Sequence, residues 1–157
     1  MPIGKTEAVA SAEANAAGLR QHRAWLGALD GATAAFDPVK VLLDAGGSET
    51  PFYFIVTFQR GTLITARMAI HADTGELREA QGVEQTGSQL RAFVNPLSVA
   101  LTALGSPPTV EPDLFWRPCR QSTSMLQPFF VVNSAARKFF VRVDGTVFER
   151  LDAVGHG

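Results

Sequence analysis

The chain has 157 residues, of which 46% are hydrophobic and eleven are Phe, and its formal net charge is −1. This length fits one domain of ordinary size, and the apolar content is ample for a buried core and unlike that of a disordered chain. A near-neutral chain has no overall field that attracts nucleic acid or an anionic membrane, so we expect neither as a partner. Residues 114–157 carry six basic and three acidic groups, a mild bias that is typical of a solvated face.

The compartment is predicted from the single cysteine and from the N-terminal segment. Cys119 is the one cysteine, so an intrachain disulfide is excluded, which suits a reducing compartment. Glu7 and Glu13 interrupt the first eighteen residues, which therefore do not have the pattern of a secretory signal. No apolar stretch has the length that is needed to span a bilayer. We expect a cytoplasmic protein.

The first half of the chain is predicted to be a helix followed by strands. A helix over 6–29 is indicated by apolar residues that recur at three- and four-residue steps, namely Val9, Ala12, Ala16, Leu19, Leu26 and Leu29. Strands are predicted over 39–44, 52–58, 62–71 and 76–80, where β-branched and aromatic residues alternate or cluster between turn residues. For 39–44 a helical turn opened by Asp37-Pro38 is the alternative.

The second half is predicted to have the same order of elements. A helix is expected over 88–104, and Asn95-Pro96 inside it either kinks or restarts it. Strands are expected over 114–121, where Pro118 favours an edge position, and then over 129–133, 138–144 and 146–151. The dipeptide Asp144-Gly145 is typical of a tight turn between the last two strands.

The two halves match in order and in spacing, which indicates an internal duplication. Pro51-Phe52 and Pro128-Phe129 each open a strong strand, and Arg67 and Arg142 lie 75 positions apart. We therefore predict a single domain over 1–157 with half-repeats at about 6–82 and 86–154. The predicted fold class is α+β, with two similar halves, each a helix packed on an antiparallel β-sheet.

Three segments of the first half resemble the PepSY-like and cystatin-like group of small α+β domains. They are 52–58, 67–70 and above all Ile70 to Leu77, which reads IHADTGEL, a strand–turn–strand pattern. The second half has only a shortened form, VRVDGTV at 141–147. The resemblance implies a non-catalytic module that binds or restrains a protein partner, such as a peptidase.

Residues with catalytic or metal-binding chemistry are few. Cys119 needs a histidine to accept its proton, and the candidates are His22, His71 and His156, none of them in a known local signature. His71, on a strand, is the most reasonable of the three. One cysteine and three scattered histidines lack the paired spacing of zinc ligands. We therefore predict no catalytic residue, no metal and no cofactor.

The strands of the second half are apolar on both faces, and this is the main functional clue in the sequence. One helix for each half covers one face, so the other face is expected to pack on the sister half, a second subunit or a ligand. Phe130 and Phe140 are the candidate binding residues on that face. Beside it we expect an aromatic and cationic rim for a carboxylate or a peptide, made of Arg67, Trp116, Arg117, Arg120 and Arg142.

Two functions follow from this pattern. The first is a non-catalytic binding or regulatory protein that holds a protein or peptide partner, or a second copy of the chain, on its apolar sheet face. The alternative is a small enzyme or ligand-binding protein with a pocket between sheet and helices. Such a pocket would gather His71, Cys119 or the arginines Arg67 and Arg142.

Overall fold

The computed structural model describes residues 2–35, 38–43, 50–85, 109–134, 137–143 and 146–154. The chain divides into two compact units that are interleaved in sequence. The first unit contains Met1–Lys40 and Thr50–Leu90, and the second contains Val41–Glu49 and Arg91–Gly157. The second unit therefore takes one short segment from the first third of the chain.

The described residues form two helices and nine strands, and strand residues outnumber helical residues more than twofold. The helices are α1 (Lys5–Leu19) and α2 (Arg23–Leu29). The strands are β1 (Thr33–Ala34), β2 (Val39–Leu42), β3 (Tyr53–Arg60), β4 (Leu63–His71), β5 (Leu77–Gln85), β6 (Thr109–Phe115), β7 (Phe129–Ser134), β8 (Arg137–Arg142) and β9 (Val147–Phe148).

The sheet of the first unit is an antiparallel meander of β3, β4 and β5, with β1 paired to β3. Its register places Thr57, Arg67 and Gln81 opposite one another on three neighbouring strands. The two hairpin turns contain Gly61 and Gly75, with φ of 59° and 74°. Glycine adopts this left-handed conformation without steric cost, and so allows both turns to be tight.

Helix α1 packs on one face of this sheet through alanines. Ala8, Ala12 and Ala16, spaced four residues apart, are completely buried. Because a methyl group is small, the helix backbone comes close to the strands and leaves no room for a larger side chain. The core below it contains Leu29, Ala32, Ala34, Phe54, Val56, Phe58, Ala66, Met68, Ile70 and Ala72.

Two helices replace the single helix that was predicted over 6–29. The Glu7 carboxylate accepts a hydrogen bond from the Gly4 N–H at the start of α1. Helix α1 ends at Leu19, and the Arg20 side chain then donates to the carbonyls of Leu29 and Ala32, at 3.1 and 2.9 Å. This arginine holds the end of α2 beside the end of α1, which a continuous helix would not allow.

The second unit is built from antiparallel β6, β7, β8 and β9, with the end of β2 parallel to β6. Val41 and Leu42 lie opposite Leu114 and Phe115. No helix occurs among the residues of this unit that the structure describes. One side of β7 and β8 carries a group of phenylalanines whose ring centroids lie 5.7–6.2 Å apart, made of Phe115, Phe129, Phe140 and Phe148.

The predicted fold of two similar helix-on-sheet halves is wrong, although the chain does combine helices with sheet. Both described helices belong to the first unit, and the second unit contains a parallel strand pair that a tandem antiparallel repeat does not have. A parallel pair needs a long crossover connection, and nothing in a local sequence pattern reveals it. The helix predicted over 88–104 lies outside the described residues.

Most of the remaining strand predictions are confirmed with shifted ends. The predicted strands 52–58, 62–71, 129–133 and 138–144 correspond to β3, β4, β7 and β8. The strand predicted over 114–121 is mostly wrong, because β6 ends at Phe115 and Pro118 lies in the loop that follows. In the part of the chain that the structure describes, neither helix is long and apolar enough to cross a bilayer.

Candidate functional site

The loop between β6 and β7, residues 116–128, contains a network of side-chain hydrogen bonds in the second unit. We call it the arginine loop, because Arg117 and Arg120 are its exposed charged residues. Its first part folds back on itself as a tight turn. Cys119 and Ser122 exchange backbone hydrogen bonds of 3.3 and 3.2 Å, so Arg120 and Gln121 occupy the tip.

Ser122 is the buried hub of this loop. Its hydroxyl accepts a hydrogen bond from the indole N–H of Trp116 at 3.3 Å, and it lies 2.7 Å from the Gln127 carbonyl and 3.0 Å from the Ser124 carbonyl. A hydroxyl can accept and donate at the same time, so one side chain ties the start of the loop to its end. The loop therefore has a defined conformation although it has no regular secondary structure.

The residues before and after β9 hold the tip of the loop from outside. The carbonyl of Gln121 accepts a hydrogen bond from the Arg142 guanidinium, which also lies over the Phe148 ring at 5.3 Å. The Gln121 amide donates to the Asp152 carboxylate and accepts from the Asp152 N–H, both at 2.9 Å. The Asp152 carbonyl accepts from the Arg120 N–H at 2.8 Å. The backbone of both tip residues is thus fixed.

The side chains of Arg117 and Arg120 are exposed, and neither makes a hydrogen bond or an ion pair with any described residue. Other arginines of the second unit have partners, since Arg137 lies 2.9 Å from Glu149 and Arg150 lies 3.2 Å from Asp152. Two unused guanidinium groups on a fixed backbone can bind an anion without first having to order the chain.

The predicted rim residues of the second unit have different roles. Trp116 is only 7% exposed, and its indole N–H is used inside the loop. Arg142 is half-buried, and its guanidinium donates to the Gln121 carbonyl at the loop tip and to the Thr146 hydroxyl. Arg117 and Arg120 are therefore the two members of the predicted rim that present free charge.

Phe130 and Phe140, predicted to share a binding face, lie on opposite faces of the sheet. Phe130 is opposite Val141, whereas Phe140 is opposite Val131. Phe130 is 7% exposed, and Phe140 is half-buried against Phe115. The large apolar side chains that are well exposed in the described residues are Leu26, Leu43 and Val154.

Arg67 and His71 belong to the first unit, on the sheet face that does not carry α1. Arg67 is buried beside Thr65, and burial lowers its pKa. Tyr53 is on the same face, and burial together with the Glu79 charge raises its pKa well above the usual range. The side chains of Arg67 and Tyr53 are thus buried polar groups, and each one interacts with other residues of the chain.

His71 is half-buried and serves the β4–β5 turn. Its Nδ1 accepts a hydrogen bond from the Asp73 N–H at 3.2 Å, and its ring lies nearly perpendicular to the Phe52 ring, with centroids 5.8 Å apart. The Gly75 carbonyl in the same turn accepts a hydrogen bond from Ser11 of α1. The turn that carries the PepSY-like pattern is thus anchored to the helix.

Cys119 is 1% exposed, and its Sγ lies 3.7 Å from the Ser122 carbonyl. The histidine of the second unit, His156, lies outside the described residues, and His22 is exposed next to α2 in the first unit. No group of three or more His, Cys, Asp or Glu that could hold a metal ion occurs in the ranges that the structure describes. The thiol packs as a small apolar group.

Sequence reasoning did not identify Gln121, Ser122 and Asp152 as the residues that hold the arginine loop. Residues 121–125 have the composition of a polar loop, and the partner of Gln121 lies 31 positions away. A buried hydroxyl and a solvated one look alike in sequence. A weak signal was available in Pro118 and Pro128, which bracket the segment and favour irregular structure.

No family model, no curated protein and no solved structure matches the chain. The resemblance to PepSY-like and cystatin-like domains therefore stays a prediction.

Proposed function

We propose that this chain is a non-catalytic binding protein whose second unit holds a protein or peptide partner on the arginine loop. The observation that supports it is that the backbone of the loop tip is held by hydrogen bonds while two arginine side chains of the loop are exposed and have no partner among the described residues. Arg120 and Gln121 are held by Asp152 and Arg142, while the side chains of Arg117 and Arg120 remain exposed.

The loop is a better partner surface than the apolar strands of the second unit. Phe130 is almost fully buried, so its ring offers little surface to a partner. Arginine is enriched at the energetic centres of protein interfaces, because its planar group binds carboxylates and backbone carbonyls in a defined geometry. A fixed loop reduces the entropy that is lost when a partner binds.

The experiment is quantitative capture from an extract of the cells that produce the protein. Three immobilised proteins are compared by mass spectrometry: the wild type, the double variant Arg117→Ser/Arg120→Ser, and the control Arg137→Ser/Lys138→Ser. The control also removes two positive charges, but from exposed positions on β8 instead of from the loop. Thermal unfolding of each variant confirms that it is folded.

We expect a protein that the wild type and the control both retain and that the loop variant loses. If the captured proteins are the same for all three, the loop is not the partner surface and the proposal is wrong. Native mass spectrometry of the pure protein tests the second copy as a partner. A dimer that dissociates only in the loop variant would identify the partner as the chain itself.

A further inference from the structure

Among the described arginines of the second unit, Arg117 and Arg120 are the two whose side chains have no partner, and both lie in the arginine loop. Lys138 on β8 is also exposed without an ion pair to a described residue, but it is a single charge. Arg137 and Arg150 are neutralised by Glu149 and Asp152, and Arg142 is engaged with Gln121 and Phe148. Arg117 and Arg120 have no such neighbour among the described residues. Asp152, whose backbone carbonyl accepts from the Arg120 N–H, has its carboxylate already hydrogen-bonded to the Gln121 amide and paired with Arg150.

The spacing of the two arginines limits the ligands that can bind both. Three peptide units separate them, so their Cα atoms lie at most about 11 Å apart. Acidic side chains at alternate positions of an extended peptide share one face and are roughly 7 Å apart. Two flexible arginine side chains can reach such a pair, each one meeting a carboxylate through two parallel hydrogen bonds.

We propose that the partner segment is an extended acidic peptide that places two carboxylates on Arg117 and Arg120. This inference rests on the proposed function and specifies its ligand. Nucleic acid is less well matched, since duplex binding usually relies on many phosphate contacts along a basic surface. Among its described residues the second unit offers two free arginines, both on one loop, and the whole chain has a net charge of −1.

Fluorescence anisotropy with three labelled probes tests the inference. The probes are a short peptide with Glu at alternate positions, the same peptide with Gln at those positions, and a double-stranded DNA oligonucleotide. The proteins are the wild type, Arg117→Ser/Arg120→Ser and the control Arg137→Ser/Lys138→Ser.

We expect the wild type and the control to bind the Glu peptide at least fivefold more tightly than the Gln peptide, and the loop variant to lose about that factor. Added salt should weaken the binding of the Glu peptide, since the pairs are exposed. Equal affinity for the Glu and Gln peptides, or unchanged binding by the loop variant, would overturn the inference. Tighter binding of the oligonucleotide that depends on the same arginines would also overturn it, in favour of nucleic acid.

The two proposals can fail separately. If capture from the extract depends on the loop but the Glu peptide does not bind, the partner is not acidic and the proposed function stands. If the Glu peptide binds but no captured protein depends on the loop, the loop is an anion site and the proposed function is wrong.

Discussion

Different kinds of contact stabilise the sheets of the two units. In the first unit, helix α1 covers β3 and β4 with a stripe of alanines, so the core depends on close approach of backbones. In the second unit, the described strands carry large phenylalanine rings, and a loop without regular structure is held by hydrogen bonds to Ser122 and Gln121. The packing of the first unit depends on the small volume of the alanine side chains, and the loop of the second unit depends on hydrogen bonds to its buried polar groups. Substitutions that change only side-chain volume or only hydrogen bonding therefore test the two arrangements separately.

The largest effect is expected from enlarging the alanine stripe. Ala12→Leu adds three carbon atoms at a completely buried contact, and we expect the free energy of unfolding to fall by about 2–3 kcal/mol. Urea denaturation measures the change. Ala17→Leu, at an exposed position of the same helix, should change the value by less than about 0.5 kcal/mol. Similar losses at both positions would show that α1 does not pack closely on the sheet.

A smaller effect is expected from removing the hub of the arginine loop. Ser122→Ala deprives the Trp116 indole of an acceptor and the Gln127 carbonyl of a donor, in a buried position. We expect a loss of about 1–2 kcal/mol in urea denaturation, together with weaker binding at Arg117 and Arg120. Thr123→Ala is the matched control, since Thr123 is exposed in the same loop. A stable Ser122→Ala protein would mean that other contacts fix the loop.

The smallest effect, over the first pH unit above about pH 10, concerns the first unit. The folded state raises the pKa of Tyr53, so above about pH 10 the unfolded chain releases a proton that the folded chain keeps. Stability should then fall by about 1.4 kcal/mol for each further pH unit, and Tyr53→Phe should remove this dependence. Tyr53 is the one tyrosine of the chain, so tyrosinate absorbance reports it alone. Ionisation of the folded protein near pH 10, without unfolding, would contradict the prediction.

Local patterns were sufficient for elements whose residues contact near neighbours in sequence. The alternation over 62–71 and the aromatic run at 52–58 correctly predicted β4 and β3, because a strand with its hairpin partner shows its pattern over a few residues. The same reasoning missed most of β5, which extends to Gln85, because Gln81 and Gly82 are exposed and the segment is polar. It also placed Trp116 on a rim, since an aromatic residue before two arginines has the composition of an interface.

The sequence by itself determined the apolar strands, the helical start of the chain and the presence of unbalanced arginines near Trp116. These depend on side-chain type and on spacing over a few residues, which the chain carries wherever it folds. Only the tertiary structure decided that Arg20 ends α1 by bonding the end of α2, that Val41 and Leu42 pair with β6, and that Asp152 fixes Gln121. Each of these contacts joins residues whose hydrogen-bonding groups are common in sequence, and only the packing of the chain determines which of them meet.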